Sequence, residues 1–290
     1  MISHSSDRVS AYRLLEILSV KNNPQPPTNV EAIAKSIGIE ITYENMLCDG
    51  SLEEIGQNRY LIKVNNKSNK LRQRFTIAHE IAHLIVKTAN RSEITCLLEK
   101  NFQRKKGFTF DWSNDEKLCD FISASILVPP TIAKKFSDWK TFSIQKSLKA
   151  SRKWQVSLST FLWSVFAVAQ YEGGFIWYKM STAPNDLTNI QMNYSWSKFP
   201  KSRKIDIPKT VFLRLVSNSG DLNYSIIDFT RNEERFHPRV KFEFNGLSEY
   251  RAMRIKAFGK GREKKILVVV YPKEIKPEVV LPGNWQRTII

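Results

Sequence analysis

The chain has 290 residues and a hydrophobic content of 42%, which is ordinary for a soluble globular protein with one large or two modest domains. Its three cysteines lack a CxxC spacing, which argues against a disulfide framework or a zinc knuckle, and no apolar run is long enough to span a membrane. Because no signal-peptide pattern is present, we expect a cytoplasmic protein without a membrane partner. The net charge of +17 indicates binding to nucleic acid, binding to an acidic partner protein, or simply a solvated basic surface.

The first part of the chain alternates between helical and strand-like patterns. A proline-rich stretch at 22–28 separates two helical segments, and Gly38 ends the second of them. We predict helices at 10–21 and 29–37 and strands at 39–43 and 59–64, with a polar loop between the two strands. Strands followed by a long buried helix indicate a small sheet packed on helices, which is an α+β arrangement.

The next helix, predicted at 71–87, carries the most informative pattern of the chain. His79, Glu80 and His83 form an HExxH pentad, in which two imidazoles one helical turn apart share one face. Such a pair supplies two nitrogens to a zinc ion, while the carboxylate beside the first polarises the metal-bound water. Because the helix is apolar nearly all round, we expect it to be buried, where unpaired imidazoles would be costly. The sequence therefore predicts one zinc ion per chain with Glu80 as the catalytic base, and the alternative is a core histidine pair bonded to backbone.

The third zinc ligand is predicted on the following helix, which ends before Pro129. Glu116 is the best candidate, and Asp120 lies one turn further along the same face, where it can fix the tautomer of a ligating histidine. A competing interpretation makes Glu116 part of an S-x-x-E capping box with Ser113. The other residues that stay open as ligands are Glu93, Glu99, Asp111, Asp115, His4 and His237.

The pattern changes at Gly173, after two more helical segments at about 142–150 and 157–170. Strand-like segments separated by turn residues follow at 175–180, 211–216, 224–229, 240–244, 250–258 and 264–272. We therefore predict two domains: a mainly helical domain with a small sheet at 1–170, and a basic, β-rich domain at 171–290.

Two linked motifs resemble those of the ImmA/IrrE family of zinc metallopeptidases. Residues 72–83 are similar to the pattern R-x-R-F-T-x-A-H-E-x-x-H, and residues 116–129 are similar to E-x-x-A-N-x-F-A-A-x-L-L-M-P. Cys119 stands where the family pattern has Ala, and Asp120 where Asn is common. The resemblance covers roughly residues 10–170, and it implies a zincin-like metallopeptidase domain that binds zinc through His79, His83 and Glu116.

The same resemblance implies an activity and a partner. We expect a zinc-dependent endopeptidase that uses metal-activated water for limited proteolysis of a helix-turn-helix repressor or an antitoxin-like regulator, as part of a stress response. The β-rich domain would contribute recognition or sensing. Tyr43, Tyr60 and His237 are candidates for a further donor to the oxyanion.

A second hypothesis is a nucleic-acid-binding regulator that uses the metallopeptidase fold as a scaffold. The net charge of +17 favours it, and so does the mixture of aromatic and basic residues at 194–199, which could stack on bases. The segment 30–38 superficially resembles half of a helix-turn-helix, although a plain packing helix is the favoured interpretation.

Overall fold

A computed structural model of the chain describes residues 25–56, 59–88, 94, 115–169, 173–181, 190–198, 234–244, 247–258 and 263–273. Contacts within the chain divide it into two compact units, Met1–Gln170 and Tyr171–Ile290. None of the helices in these described ranges combines the length and the apolar character needed to cross a membrane.

The first unit combines helices with a small sheet, as the sequence predicts. Its described helices are α1 (Val30–Ser36), α2 (Lys70–Thr88), α3 (Asp115–Leu127), α4 (Pro130–Lys134), α5 (Ile144–Trp154) and α6 (Leu158–Val168). Its described strands are β1 (Ile39–Glu44), β2 (Gly50–Gly56) and β3 (Arg59–Asn65). Helix α1 is followed directly by β1, and its residues Val30 and Ala34 are buried, which agrees with a packing helix, whereas the helix predicted at 10–21 lies outside the described residues.

The sheet of the first unit has β3 at its centre, with β1 parallel and β2 antiparallel to it. Ile62 and Val64 of β3 are fully buried, whereas β2 is exposed from Glu53 onward. The sequence predicts a loop where the structure has β2, and that prediction is wrong. An exposed edge strand lacks the apolar alternation by which strands are identified.

Polar residues define where several helices begin. The side chains of Asn29, Asn69, Ser143 and Ser157 each accept a hydrogen bond from a backbone N–H in the first turn of α1, α2, α5 and α6 respectively. Capping of this kind satisfies donors that have no partner within the helix. Pro130 ends the pattern of α3 as predicted and also begins α4, because the first turn of a helix tolerates a missing N–H.

Helix α2 is the centre of the first unit. It packs against α1, α3, β2 and β3. Ile77, Ile81 and Ile85 follow one another along its length and are fully buried. Burial of a whole isoleucine side chain contributes about 1.5–3 kcal/mol, so this row holds α2 firmly in place. Any side chain on the same helix is therefore presented from a fixed backbone.

The second unit contains a five-stranded antiparallel sheet with the order β5-β4-β8-β7-β6. Its strands are β4 (Gly173–Ser181), β5 (Ile190–Lys198), β6 (Glu234–Phe244), β7 (Leu247–Phe258) and β8 (Glu263–Lys273). Four predicted strands lie within β4, β6, β7 and β8. Strand β5 was not predicted. The segments predicted at 211–216 and 224–229 lie outside the described residues. Residues 266–270 of β8 are all buried, so this central strand is covered on both faces.

Candidate metal centre

The two histidines of the HExxH pentad lie on one face of α2. His79 and His83 are one turn apart, and their side chains are 17% and 31% exposed. The rest of the helix supplies a buried face, so the backbone that carries the imidazoles cannot shift without disturbing the core. Both side chains are therefore partly accessible to solvent, as a site that receives a substrate requires.

The third predicted ligand reaches the histidines from α3. The buried face of α3, which includes Leu118 and Ile122, packs against α2. Glu116 lies in the first turn of α3 and is 68% exposed, with its carboxylate directed at the imidazole pair. The competing capping box cannot be compared with this arrangement, since Ser113 lies outside the described residues.

The ligand atoms converge at distances that suit zinc. His79 Nε2 lies 3.1 Å from His83 Nε2 and 3.2 Å from Glu116 Oε2, while His83 Nε2 lies 3.5 Å from Glu116 Oε1. Ligand atoms about 2.0–2.1 Å from a tetrahedral zinc ion are separated from each other by about 3.3 Å. Two imidazoles and one carboxylate are also a ligand set that leaves a fourth position for water or substrate. These three residues can therefore hold a metal ion, although their role as ligands stays a prediction.

Each histidine has a neighbour from α3 at its far ring nitrogen. Asp120 Oδ1 lies 3.1 Å from His79 Nδ1, and Cys119 Sγ lies 3.4 Å from His83 Nδ1. The contact of Asp120 is close, but its angles do not meet those of a straight hydrogen bond. In both cases Nε2 faces the convergence point and Nδ1 faces α3, which is the orientation that metal binding through Nε2 requires.

The electrostatics of the site favour positive charge. Burial acts to lower the pKa of His79, yet the carboxylates of Asp120, Glu80 and Glu116 outweigh burial and raise that pKa above its ordinary value. The same field that stabilises an imidazolium would stabilise a divalent cation. Burial, together with the nearby carboxylates, raises the pKa of the Cys119 thiol to about 12, so the thiol is neutral in the absence of a cation.

Glu80 follows His79 on α2 and is partly buried. Burial raises the pKa of its carboxyl group above the ordinary value, and Glu116 adds to this effect, whereas the two histidines oppose it. A carboxylate with a raised pKa is a stronger base, and a pKa nearer to the working pH lets the same group both accept a proton and release it. The position of Glu80 beside the convergence point therefore suits a group that moves protons.

The other sequence candidates do not join this cluster within the described residues. Asp115 begins α3 but lies outside the convergent set. Tyr43 donates to Glu31 Oε1 at 2.5 Å and lines a separate groove of about 500 Å³ on another face of α2. The ring of Tyr60 lies beside Lys87, and His237 belongs to β6 of the second unit. Glu93, Glu99, Asp111 and His4 lie outside the described residues.

Sequence reasoning missed the contact of Cys119 with His83. Cys119 reads as a small buried residue, and it is indeed fully buried. The available signal was its position: three residues after Glu116 and one before Asp120, it shares the face of α3 that both acids direct towards α2.

Comparison with known proteins identifies the domain type. Residues 34–161 match the model of a peptidase family, M78, described as the IrrE N-terminal-like domain. Among solved structures, the chain is similar to a Mycobacterium tuberculosis transcriptional regulator, with 12% sequence identity and a TM-score of 0.44, over 93% of this chain and 76% of that chain. No curated protein matches the sequence significantly.

Proposed function

Residues 34–161 form an IrrE N-terminal-like domain of the M78 peptidase type. On that premise, we propose that the protein is a zinc-dependent endopeptidase that cleaves a regulatory partner protein at a limited number of sites. One observation carries the proposal: two imidazole nitrogens and one carboxylate from adjacent helices converge within 3.1–3.5 Å, beside a glutamate. A buried histidine pair bonded to backbone would not place a carboxylate from another helix at both Nε2 atoms.

The residues of the site divide the work of peptide hydrolysis. His79, His83 and Glu116 would hold the ion, and a zinc ion bound there supplies the Lewis acidity that activates water and polarises the scissile carbonyl group. Glu80 accepts a proton from the attacking water and passes it to the leaving amine. The carbon–nitrogen bond breaks as the new carbon–oxygen bond is completed, so the water is divided between the two products.

The partner we propose is a helix-turn-helix repressor or an antitoxin-like regulator, cleaved in a stress response. Support comes from the motif resemblance of residues 72–83 and 116–129 to ImmA/IrrE peptidases. We assign recognition or sensing to a basic, β-rich domain at 171–290, because this part of the chain carries +9 of the formal charge and would attract an acidic partner.

The test compares cleavage with metal content in the full chain. Glu80→Gln is expected to retain zinc but to lower the rate of partner cleavage by roughly 10²–10⁴-fold, because only the proton carrier is removed. Glu116→Ala is expected to lose zinc as well as cleavage. The substrate to test is a helix-turn-helix regulator, should one be encoded beside this protein, incubated with each variant and followed by mass spectrometry of the fragments.

Glu40→Gln provides the matched control, since Glu40 is an exposed glutamate on β1 that pairs with Arg59 and lies outside the metal cluster. It should cleave as the unaltered chain does. Undiminished cleavage by Glu80→Gln would refute the peptidase mechanism.

A second candidate function is nucleic-acid binding, which one surface favours. Helix α5 contains no acidic residue, and its basic side chains are all exposed: Lys146, Lys149, Arg152 and Lys153. Such a row suits contact with phosphates. Helix α6, which follows α5, is largely buried and could not serve as a recognition helix in a groove of DNA. Binding through α5 would therefore be independent of base sequence, and it could act as a tether beside proteolysis.

A further inference from the structure

Two consecutive residues of α3 face the far ring nitrogens of the two histidines. Asp120 approaches Nδ1 of His79, which is the partner that the sequence predicts. Cys119 approaches Nδ1 of His83 at 3.4 Å, within the range of a hydrogen bond to sulfur. Each histidine thus has its own neighbour, but one is a carboxylate and the other a thiol.

A histidine that binds a metal through Nε2 must carry its proton on Nδ1. That Nδ1–H group requires an acceptor, and metal-ligating histidines almost always have one, which fixes both the tautomer and the direction of the ring. Among the residues described around His83, the acceptor at this distance is Cys119 Sγ. A thiol sulfur accepts weakly, so the contact orients the ring more than it strengthens the ligand.

We propose that Cys119 is a positioning residue: its sulfur accepts the Nδ1–H of His83 and thereby holds Nε2 towards Glu116. This proposal rests on the zinc centre of the proposed function. It is specific to this chain and not to the domain type, because Cys119 stands where the resembling family pattern has Ala.

The geometry separates this role from metal ligation. The atoms that converge belong to His79, His83 and Glu116, and Cys119 Sγ is not among them. The sulfur lies at Nδ1, on the side of the imidazole opposite the nitrogen that faces the convergence point. Cys119 is also fully buried, so solvent does not compete for the contact.

The experiment uses the full chain with zinc added to the metal-free protein, and it measures affinity by competition with a chelator. Cys119→Ala should weaken zinc binding by roughly three- to tenfold, less than the 10–100-fold typical of stronger outer partners. Ser123→Ala is the matched control, because Ser123 lies one turn further along α3, is equally buried and donates only to the carbonyl group of Cys119. It should leave the affinity within about twofold.

A spectroscopic measurement distinguishes positioning from a general effect on packing. The chain has only four histidines, so the ring signals of zinc-loaded, ¹⁵N-labelled protein can be assigned by single substitutions. In Cys119→Ala the Nδ1–H proton of His83 should move upfield and exchange faster with water, while that of His79 stays unchanged. A structural role alone would not alter one ring proton selectively.

Three results would overturn the proposal. Unchanged affinity and an unchanged His83 signal in Cys119→Ala would remove the positioning role and leave the zinc centre intact. A sulfur-to-cobalt charge-transfer band in the cobalt-loaded chain, lost in Cys119→Ala, would make the thiol a ligand instead. Zinc binding that persists unaltered in His79→Ala would mean that the metal lies elsewhere, and the proposed function would fail together with this inference.

Discussion

Asp120 and Cys119 bring chemically different groups, a carboxylate and a thiol, to the Nδ1 atoms of His79 and His83. A carboxylate behind an imidazole raises its basicity and stabilises the positive charge that a metal brings, whereas a neutral thiol provides direction and little charge. The raised pKa of His79, to which Asp120 contributes, is consistent with this difference. We therefore expect His79 to be the more strongly held of the two ligands.

Substitution of Asp120 tests that expectation. Asp120→Ala should weaken zinc binding by about 10–100-fold, because His79 loses its outer partner. Asp120→Asn should retain most of the affinity, since it keeps an oxygen atom close to Nδ1 of His79, and Asn is common at this position of the family pattern. Chelator competition on the metal-free chain gives both values.

Asp138→Ala serves as the control for this series. Asp138 is an exposed acid in the turn before α5, and it accepts a hydrogen bond only from a local backbone N–H. Its removal changes the net charge by the same amount as Asp120→Ala without touching the site. Equal zinc affinity in Asp120→Ala and Asp138→Ala would show that the contact at 3.1 Å has no influence on the metal.

The position of α2 depends on a close approach of strand β2. A Cβ atom at Gly50 would lie 2.4 Å from Thr76 Cγ2 and 2.7 Å from the carbonyl oxygen of Lys63. Thr76 belongs to the buried side of α2, three residues before His79. Glycine is therefore required here for contact between strand and helix and not for an unusual backbone angle.

Gly50→Ala should lower the free energy of unfolding by about 1–3 kcal/mol, because the strand must move away from α2. Denaturant unfolding of the full chain measures the change. Adding Thr76→Ser should recover only part of the loss, since the clash with the backbone carbonyl of Lys63 remains.

Gly56→Ala is the comparison on the same strand. The nearest atoms to a Cβ at Gly56 are 3.9 Å away, which is ordinary van der Waals contact. This substitution should therefore change stability by no more than about 0.5 kcal/mol. Equal losses at Gly50 and Gly56 would contradict the close approach of β2 to α2.

The parts of the fold that the sequence predicts are those that bury a regular face. Helix α2 was predictable at 71–87 and occupies Lys70–Thr88, because apolar residues recur along it and its polar flanks mark the ends. Strand β2 could not be predicted, because an edge strand with exposed residues lacks a regular spacing of apolar residues. Helix α4 could not be predicted either, because the prolines that mark the end of α3 do not reveal that a new helix starts at the same place.

Some residues of the site could likewise be predicted from the sequence, and others could not. Spacing along one helix identifies His79 and His83, since their separation alone places them on one face. Glu116 required a second motif, because nothing in the spacing within α2 indicates which later helix returns to it. Cys119 could not be identified from its type, as the contact with His83 depends on the rotation of α3 relative to α2, which packing determines.

Charge is the property that the two units share. Residues 1–170 carry +8 of the formal charge and residues 171–290 carry +9. The cluster of His79, His83 and Glu116 has further acidic groups around it, and a concentration of positive charge lies elsewhere, on the exposed side of α5. An acidic protein partner would be attracted by this field, and nucleic acid would be attracted more strongly because its phosphates give it a higher density of negative charge.

A salt titration separates these two partners. If the four basic residues of α5 contact phosphates, the affinity for nonspecific duplex DNA should fall with salt with a log–log slope of about −3.6. Lys149→Ala should make the slope shallower by about 0.9, whereas Lys67→Ala, in the turn after β3, should leave it unchanged. Fluorescence anisotropy of a labelled duplex measures both. A slope near zero would exclude nucleic acid as a partner of the α5 surface and leave the peptidase proposal intact, because Glu80 and the metal cluster have no part in that contact.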